Sequence, residues 1–309
     1  STPQPPLRGC PDGAWRPAMS FVPGPVTVRT PASSANLGPG FDALGLALTL
    51  YDEITAQTTP AGLEIDVVGE GSAGVPKDEA HLVVRAMHAT FDALGQRPAG
   101  LHLTCTNAIP HGRGLGSSAA AIVAGIALAR ALTEDAELDD AAAFQLAADL
   151  EGHPDNVAAA MFGGLTIAWL EGKAARAECL ESDVEVTAFV PPEAVSTERA
   201  RGLLPPEVPH ADAAANAGRA ALLVRALTGA PHLLLPATED RLHQSYRAGA
   251  MPASYELMAA LREAGVPATI SGAGPTVLAF SQGLGDRLPV GWSMHELAVD
   301  SQGAHIVAT

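Results

Sequence analysis

The sequence predicts an α+β protein built in two layers. Segments with the alternating pattern of strands and segments with helical spacing follow each other irregularly, and no βαβ unit recurs with a fixed period. The chain has 309 residues, which is enough for one large domain or for two modest domains that share a cleft. Hydrophobic residues make up 47% and charged residues 17%, a composition typical of a packed enzyme and unlike that of a disordered protein.

The first half of the chain is expected to hold a leader and most of one domain. Residues 1–19 are rich in Pro and Gly without a periodic pattern, so we expect a flexible leader. The first strand alternates apolar and polar residues and ends at Pro31, and a small-residue loop follows at 32–40. Gly95 is a candidate C-cap for the first helix. The predicted strands are 26–30, 54–57, 63–68, 101–106 and 165–170, with an apolar stretch at 41–50, and the predicted helices are 81–95, 119–132, 139–151 and one that ends at 163–164.

A second unit is predicted after the polar stretch at 171–183. A glycine loop at 272–274 separates two of its strands. The predicted strands are 184–190, 268–271, 276–280 and 305–307, and the predicted helices lie near 197–204, 211–229 and 254–264. We therefore expect an N-terminal domain at 20–182 and a C-terminal domain at 183–309.

The charge and the lysine content exclude several classes of function. Lys and Arg number 18 against 34 Asp and Glu, a formal net charge of −16, so we expect no binding to nucleic acid. An anionic ligand must therefore be held by local geometry. The lysines are Lys77 and Lys173, and neither lies in a glycine-rich segment. This disfavours P-loop NTPases and protein kinases, which place a lysine on the phosphates.

The cysteines and the hydropathy favour a cytoplasmic protein. Cys10, Cys105 and Cys179 are widely spaced and form no C-x-x-C pair, which indicates neither a disulfide framework nor a zinc site. No apolar run reaches the roughly 18–20 residues that span a bilayer, so we expect no membrane association. A homodimer is compatible with these features.

The segment at 112–118 is a candidate anion site. Its three glycines let the backbone bend tightly and expose consecutive N–H groups. It opens directly into a predicted helix, so these groups and the positive end of the helix dipole point at one place. The hydroxyls of Ser117 and Ser118 can cap the helix or ligate Mg²⁺. The alternative is a glycine-rich loop with a serine N-cap and no ligand.

Two further segments offer carboxylates. At 31–42, Asn36 supplies an amide and Asp42 a carboxylate, although an Asx-turn and a helix cap explain them equally well. Glu151 at a helix end is followed four residues later by Asp155, and Mg²⁺ needs one or two carboxylates besides phosphate oxygens.

Two further features of these loops are less specific. His153 is expected to be a hydrogen-bonding residue, because nothing supplies the other His or Cys ligands of a metal site. The glycine turn at 271–276 is either a tight hairpin or backbone that closes over the other loops.

In this order, the segments resemble the three signature motifs of the GHMP kinases. The sequence Pro-His-Gly-Arg-Gly-Leu-Gly-Ser-Ser-Ala-Ala at 110–120 is similar to the family's P-x3-G-L-G-S-S-A phosphate loop. Within the superfamily, the segments at 32–42, 151–157 and 195–201 resemble those of the homoserine kinases. The resemblance runs from about residue 26 to the C-terminus. It implies an N-terminal domain like ribosomal protein S5 and a ferredoxin-like C-terminal domain.

The resemblance also implies roles for individual residues. ATP is the implied co-substrate, Ser118 and Glu151 are the implied Mg²⁺ ligands, and His81 stands near the adenine pocket where many relatives have Asn. The implied catalytic residues are Asn156 and Arg201, with Thr197 in support. The implied ligands of the substrate, L-homoserine, are Asn36, Asp42, Asn156, Arg201 and Arg247. The implied phosphate loop consists of Pro110, His111, Gly112, Arg113, Gly114, Leu115, Gly116, Ser117, Ser118, Ala119 and Ala120.

The residue chemistry favours a zwitterionic substrate with a hydroxyl group. Asp42 can accept the ammonium of homoserine, and Arg201 or Arg247 can pair with its carboxylate. Galactose has no charge for two arginines, and mevalonate has no amine for Asp42. The implied reaction is ATP-dependent phosphorylation of the side-chain hydroxyl to O-phospho-L-homoserine in threonine biosynthesis.

Without the motif context, the arginines would be interpreted as surface ion pairs of an acidic protein. Two alternatives to the assignment remain. The protein can also be a GHMP kinase for another small alcohol, or a non-catalytic regulator that binds ATP or an amino acid. Intact Ser118 and Glu151 disfavour the regulator, which has no need of a metal site.

Overall fold

A computed structural model describes residues 20–22 and 24–307 of the chain. The leader predicted at 1–19 lies outside the described residues. The strands are β1 (Val26–Ala35), β2 (Leu44–Thr59), β3 (Gly62–Gly69), β4 (Gly100–Asn107), β5 (Leu165–Glu171), β6 (Ala174–Leu180), β7 (Glu185–Val190), β8 (Ala268–Ile270), β9 (Val277–Ala279), β10 (Ser293–Ala298) and β11 (His305–Val307). The helices are α1 (Leu82–Leu94), α2 (Ser117–Leu132), α3 (Asp140–Glu151), α4 (Asp155–Phe162), α5 (Thr197–Arg201), α6 (His210–Leu227), α7 (Leu234–Ala237), α8 (Gln244–Arg247) and α9 (Pro252–Glu263).

The larger sheet carries the helices that begin at the predicted motifs. Its main path runs β11–β1–β2–β4–β3, and β5 pairs with both β2 and β6. β3 and β4 are parallel and are connected through α1. Met87 and Phe91 of α1 and Leu128 of α2 belong to one buried cluster with Val28 and Leu103 of the sheet. This apolar layer packs α1 and α2 against the larger sheet.

The smaller sheet has the strand order β10–β7–β9–β8, with every neighbouring pair antiparallel. In chain order this is 4-1-3-2, the arrangement of a ferredoxin-like sheet. The predicted α+β class is therefore confirmed. In the described part of the chain, no helix is long and apolar enough to cross a membrane.

The prediction that the first strand ends at Pro31 is wrong. β1 continues to Ala35, and its register against β2 shifts between Pro31 and Ala32. A proline has no N–H to donate, and an irregularity in the ladder leaves room for such a residue. The predicted segments at 41–50 and 54–57 likewise fall mostly within the single strand β2.

Two strands were not predicted, and both lie at the edges of sheets. β6 lies inside the polar stretch at 171–183 and pairs only with β5, while β10 pairs only with β7. Most of their side chains are partly or fully exposed. A strand that buries so little has a weak apolar pattern, which is why the sequence did not reveal it.

The two sheets share buried contacts. Leu46 of β2 belongs to one buried cluster with Val186 of β7, Leu223 of α6 and Leu278 of β9. The C-terminal strand β11 returns to pair with β1 of the larger sheet. The division into domains at 20–182 and 183–309 stays a prediction.

Candidate active site

A cleft of about 280 Å³ lies where the two sheets meet. The N-terminus of α2, the start of α4, α5 and the glycine turn at 272–274 all border it. Predicted site residues that line it are Asn36, Gly112, Gly114, Gly116, Ser117, Ser118, Glu151, Asn156, Thr197, Arg201 and Arg247. Asp42 is hydrogen-bonded to Arg201, so it joins the same group.

Other residues of the predicted phosphate loop lie outside this cleft. His111 borders a neighbouring cavity. Arg113 turns toward backbone carbonyls: Nε donates to Pro191 at 3.2 Å and Nη1 to His111 at 2.5 Å, and Nη2 donates to Pro192. Its charge is therefore engaged away from the cleft. The buried members are Pro110, Leu115, Ala119 and Ala120.

The glycines of the loop are required by its conformation. Gly112, Gly114 and Gly116 have φ of +65°, +77° and +70°, in the left-handed region that side chains rarely adopt. A Cβ on Gly114 would overlap the carbonyl oxygen of Ser271, and a Cβ on Gly116 would overlap the hydroxyl of Ser33. Among the described residues, no side chain caps the N-terminus of α2. Its first N–H groups are thus available to an anion.

Ser118 and Glu151 form a pair of oxygen donors beside this loop. The Ser118 hydroxyl donates to Glu151 Oε1 at 2.6 Å. Burial raises the pKa of Glu151, an effect that the hydrogen bond from Ser118 opposes. A hydroxyl and a carboxylate next to a phosphate site are the hard ligands that Mg²⁺ takes together with phosphate oxygens. The donor set therefore fits the implied metal.

Asp155 has a structural role at the start of α4. It is 2% exposed, and its Oδ1 lies 2.7 Å from His153 Nδ1 and accepts the Asn156 N–H at 2.8 Å. The hydrogen bond to Asp155 raises the pKa of His153. The carboxylate is thus held by His153 and by the backbone N–H of Asn156 at the start of α4.

Asp42 and Arg201 pair with each other in a bidentate arrangement. Nη1 donates to Oδ2 at 3.1 Å and Nη2 to Oδ1 at 2.6 Å. Asn36 braces the loop behind them, because its amide donates to the Gly272 carbonyl at 2.9 Å and accepts the Asp42 N–H at 2.9 Å. Both groups of the Asn36 amide are therefore bound to backbone, whereas Asp42 and Arg201 are half-exposed.

Arg247 is a buried cation at the wall of the cleft. The residue is 2% exposed, and burial lowers its pKa to about 10. Within the described residues its Nε has no hydrogen-bond partner, and Nη2 contacts His243 Nδ1. A buried guanidinium with an unused donor is an attractive partner for a carboxylate.

Three residues that were not predicted as site residues support the cleft: Ser33, Phe41 and His243. The Phe41 ring lies 5.7 Å from Arg201 Cζ and 6.0 Å from Arg247 Cζ, and it stacks on His243 at 4.7 Å. His243 lies 2.7 Å from the Gly38 carbonyl through Nε2. Ser33 and Phe41 lie in the segment at 32–42, and His243 precedes Arg247 by four residues, a spacing at which side chains share a helix face.

A second cavity of about 260 Å³ meets the cleft at Ser117 and Ser118. Apolar side chains such as Ile54 and Val83 line it, together with His81. Burial lowers the pKa of His81, and its Nδ1 has no hydrogen-bond partner among the described residues. An apolar cavity beside the phosphate loop suits an adenine ring.

The chain is similar to known protein families, to characterised proteins and to solved structures. The GHMP kinases N terminal domain model matches residues 81–164, and the GHMP kinases C terminal model matches residues 213–288. The chain is 57% identical over 291 residues to the homoserine kinase of Streptomyces avermitilis, covering 91% of this chain and 95% of that protein. It is 57% identical to that of Streptomyces coelicolor, covering 91% and 94%. The crystal structure of homoserine kinase from Cytophaga hutchinsonii matches with a TM-score of 0.79 at 26% identity, covering 91% of this chain and 97% of that chain.

The first prediction concerns the glycines of the phosphate loop. Gly114→Val and Gly116→Val should abolish ATP binding in titration calorimetry, because the added atoms would overlap the Ser271 carbonyl and the Ser33 side chain, respectively. Arg113→Ala should retain much of the binding, since its guanidinium faces carbonyls. Gly172→Val is the matched control, because Gly172 has φ +65° and open space around it. Equal losses of ATP affinity in Arg113→Ala and Gly116→Val would refute the assignment of the phosphate site to the backbone N–H groups at the start of α2.

The second prediction concerns pH and stability. Burial lowers the pKa of His243 from 6.5 to about 4. Between these values the unfolded chain binds the proton and the folded chain does not, so stability falls as pH falls. Between pH 7 and 5 this contributes a loss on the order of 1–2 kcal/mol. Urea unfolding should show a smaller loss over this range in His243→Gln, and an equal loss in both proteins would contradict the assignment.

Proposed function

This chain belongs to the GHMP kinases, and from its 57% identity to two homoserine kinases we infer that it is a homoserine kinase and that the cleft performs the phosphoryl transfer. It is an ATP-dependent transferase that phosphorylates the hydroxyl of L-homoserine, a step in threonine biosynthesis. The observation that carries the assignment of the cleft is Arg247, a buried cation with a free donor beside an open helix N-terminus. Different parts of the cleft would bind ATP and the amino-acid substrate.

We propose that ATP spans the two neighbouring cavities. The triphosphate binds to the N–H groups at the start of α2, where the dipole and the glycine backbone replace the lysine of other kinases. The adenine enters the apolar slot beside His81. Ser118 and Glu151 hold Mg²⁺, which would neutralise charge on the phosphates when bound.

The two charges of the substrate would be bound by Asp42 and by the two arginines beside the Phe41 ring. The carboxylate of homoserine binds to Arg247, with Arg201 as the second arginine, and the ammonium binds to Asp42. In the structure, Asp42 and Arg201 pair with each other. A zwitterion can replace both halves of this pair, because it brings one charge of each sign.

The hydroxyl of the substrate would be oriented by Asn156, which lines the cleft. An amide cannot accept a proton at neutral pH, and Asp155 is occupied at the start of α4. In a loose transition state the nucleophile needs little activation, so the proton can pass to a γ-phosphate oxygen. Catalysis would then come from positioning and charge stabilisation, with Thr197 supporting the neighbouring Arg201.

The cytoplasmic location and the homodimer remain part of this proposal. Cys105 and Cys179, the cysteines within the described residues, are free, as in a reducing compartment. Assay of ATP-dependent phosphorylation with homoserine, mevalonate and galactose tests the substrate class. Equal rates with mevalonate would overturn it.

The third prediction concerns recognition of the zwitterion. Asp42→Ala, Arg201→Ala and Arg247→Ala should each raise KM for homoserine or lower kcat/KM, with the KM for ATP nearly unchanged. Losing one charge-assisted contact costs about 1.5–3 kcal/mol, roughly ten- to a hundredfold. Arg176→Ala, which removes an exposed ion pair with Glu171, is the control. Unchanged homoserine kinetics in all three site variants would exclude this substrate site.

The fourth prediction concerns the absence of a general base. Asn156→Ala should lower kcat about ten- to a hundredfold through misalignment of the hydroxyl, and Asn156→Asp should restore nothing. Asp155→Asn should reduce stability more than turnover. The measurement is kcat against pH. A limb with a carboxylate-like pKa that disappears only in a well-folded Asp155→Asn variant would restore a base mechanism.

A further inference from the structure

Ser33 joins the phosphate loop to Asn156, a role that the sequence analysis of the segment at 31–42 did not assign to it. It lies near the end of β1 and is fully buried. Its hydroxyl donates to Asn156 Oδ1 at 2.9 Å, and its N–H donates to the Leu115 carbonyl at 3.0 Å. The same side chain occupies the space beside Gly116 that a Cβ would need. Ser33 therefore contacts both the phosphate loop, which is proposed to bind ATP, and Asn156, which is proposed to orient the substrate hydroxyl.

The hydrogen bond decides which end of the Asn156 amide faces the cleft. Because Oδ1 accepts from Ser33, the two N–H bonds of Nδ2 are left for a ligand. Those donors suit the oxygen of a substrate hydroxyl or an oxygen of the γ-phosphate. The opposite orientation would present a carbonyl oxygen, which repels phosphate oxygens.

We propose that Ser33 is a positioning residue for phosphoryl transfer, which orients the Asn156 amide and holds it at a set distance from the phosphate loop. This rests on the proposed role of Asn156. Ser33 is fully buried, so it acts through Asn156 and the loop instead of through binding of either substrate. Its loss should therefore affect turnover, because small errors in alignment are costly in the transition state.

The test is steady-state kinetics of Ser33→Ala and Ser33→Cys. Both should lower kcat about tenfold or more, while each substrate KM stays within about twofold. Ser33→Cys fills the space but donates weakly, so it separates the hydrogen bond from packing. Thr30→Val is the control: Thr30 is on the same strand, fully buried, and its hydroxyl has no partner among the described residues. It should leave kcat unchanged.

A double-mutant cycle with Asn156→Ala completes the experiment. Ser33→Ala should cause no further loss of kcat in that background, since the group it orients is gone. Additive losses, full activity in Ser33→Cys, or a rise in the KM for ATP without loss of kcat would each overturn the inference. If Asn156→Ala itself keeps full kcat, the proposed role of Asn156 fails. If only Asn156→Ala is impaired, that role stands and Ser33 is excluded.

Discussion

The close contact of backbone segments at the start of α2 is the constraint on which the rest of the cleft depends. The phosphate loop belongs to the larger sheet, and the glycine turn at 272–274 belongs to the smaller one. The Ser271 hydroxyl donates to the Gly114 carbonyl at 2.5 Å, and the Gly272 N–H donates to the Ala35 carbonyl at 3.0 Å. A Cβ on Gly114 would overlap the Ser271 carbonyl, so glycine at this position allows the two sheets to meet and form one pocket.

The attraction of anions in this acidic protein depends on positive groups within the cleft and not on the net charge. The net charge of −16 would repel a triphosphate at long range. The cleft compensates with helix N–H groups and with two arginines that share the Phe41 ring. Neutral His243 contacts Arg247 without neutralising it, since burial holds the pKa of the imidazole far below neutrality. The guanidinium thus keeps its full charge for an anion.

The fold was predictable where burial imposes a pattern. Helix α1 ends at Gly95 as expected, and its C-cap residue has the left-handed conformation. The predictions failed at β6 and β10, whose exposed sides leave little apolar alternation, and at Pro31, where a shift in register lets β1 continue. Local patterns report how a segment is buried, and they do not report which strand it pairs with.

By itself the sequence determined the family and the chemistry of the local motifs, because the glycine loop at 110–120 and the Glu151 segment act through contiguous backbone. Only the tertiary structure placed Arg247 beside Phe41, turned Arg113 away from the cleft and joined Ser33 to Asn156. Ser33 and Asn156 are 123 positions apart, and the contact exists because β1 and α4 pack together. Pairings of this kind follow from how sheets and helices meet in space, which no short segment of the chain encodes.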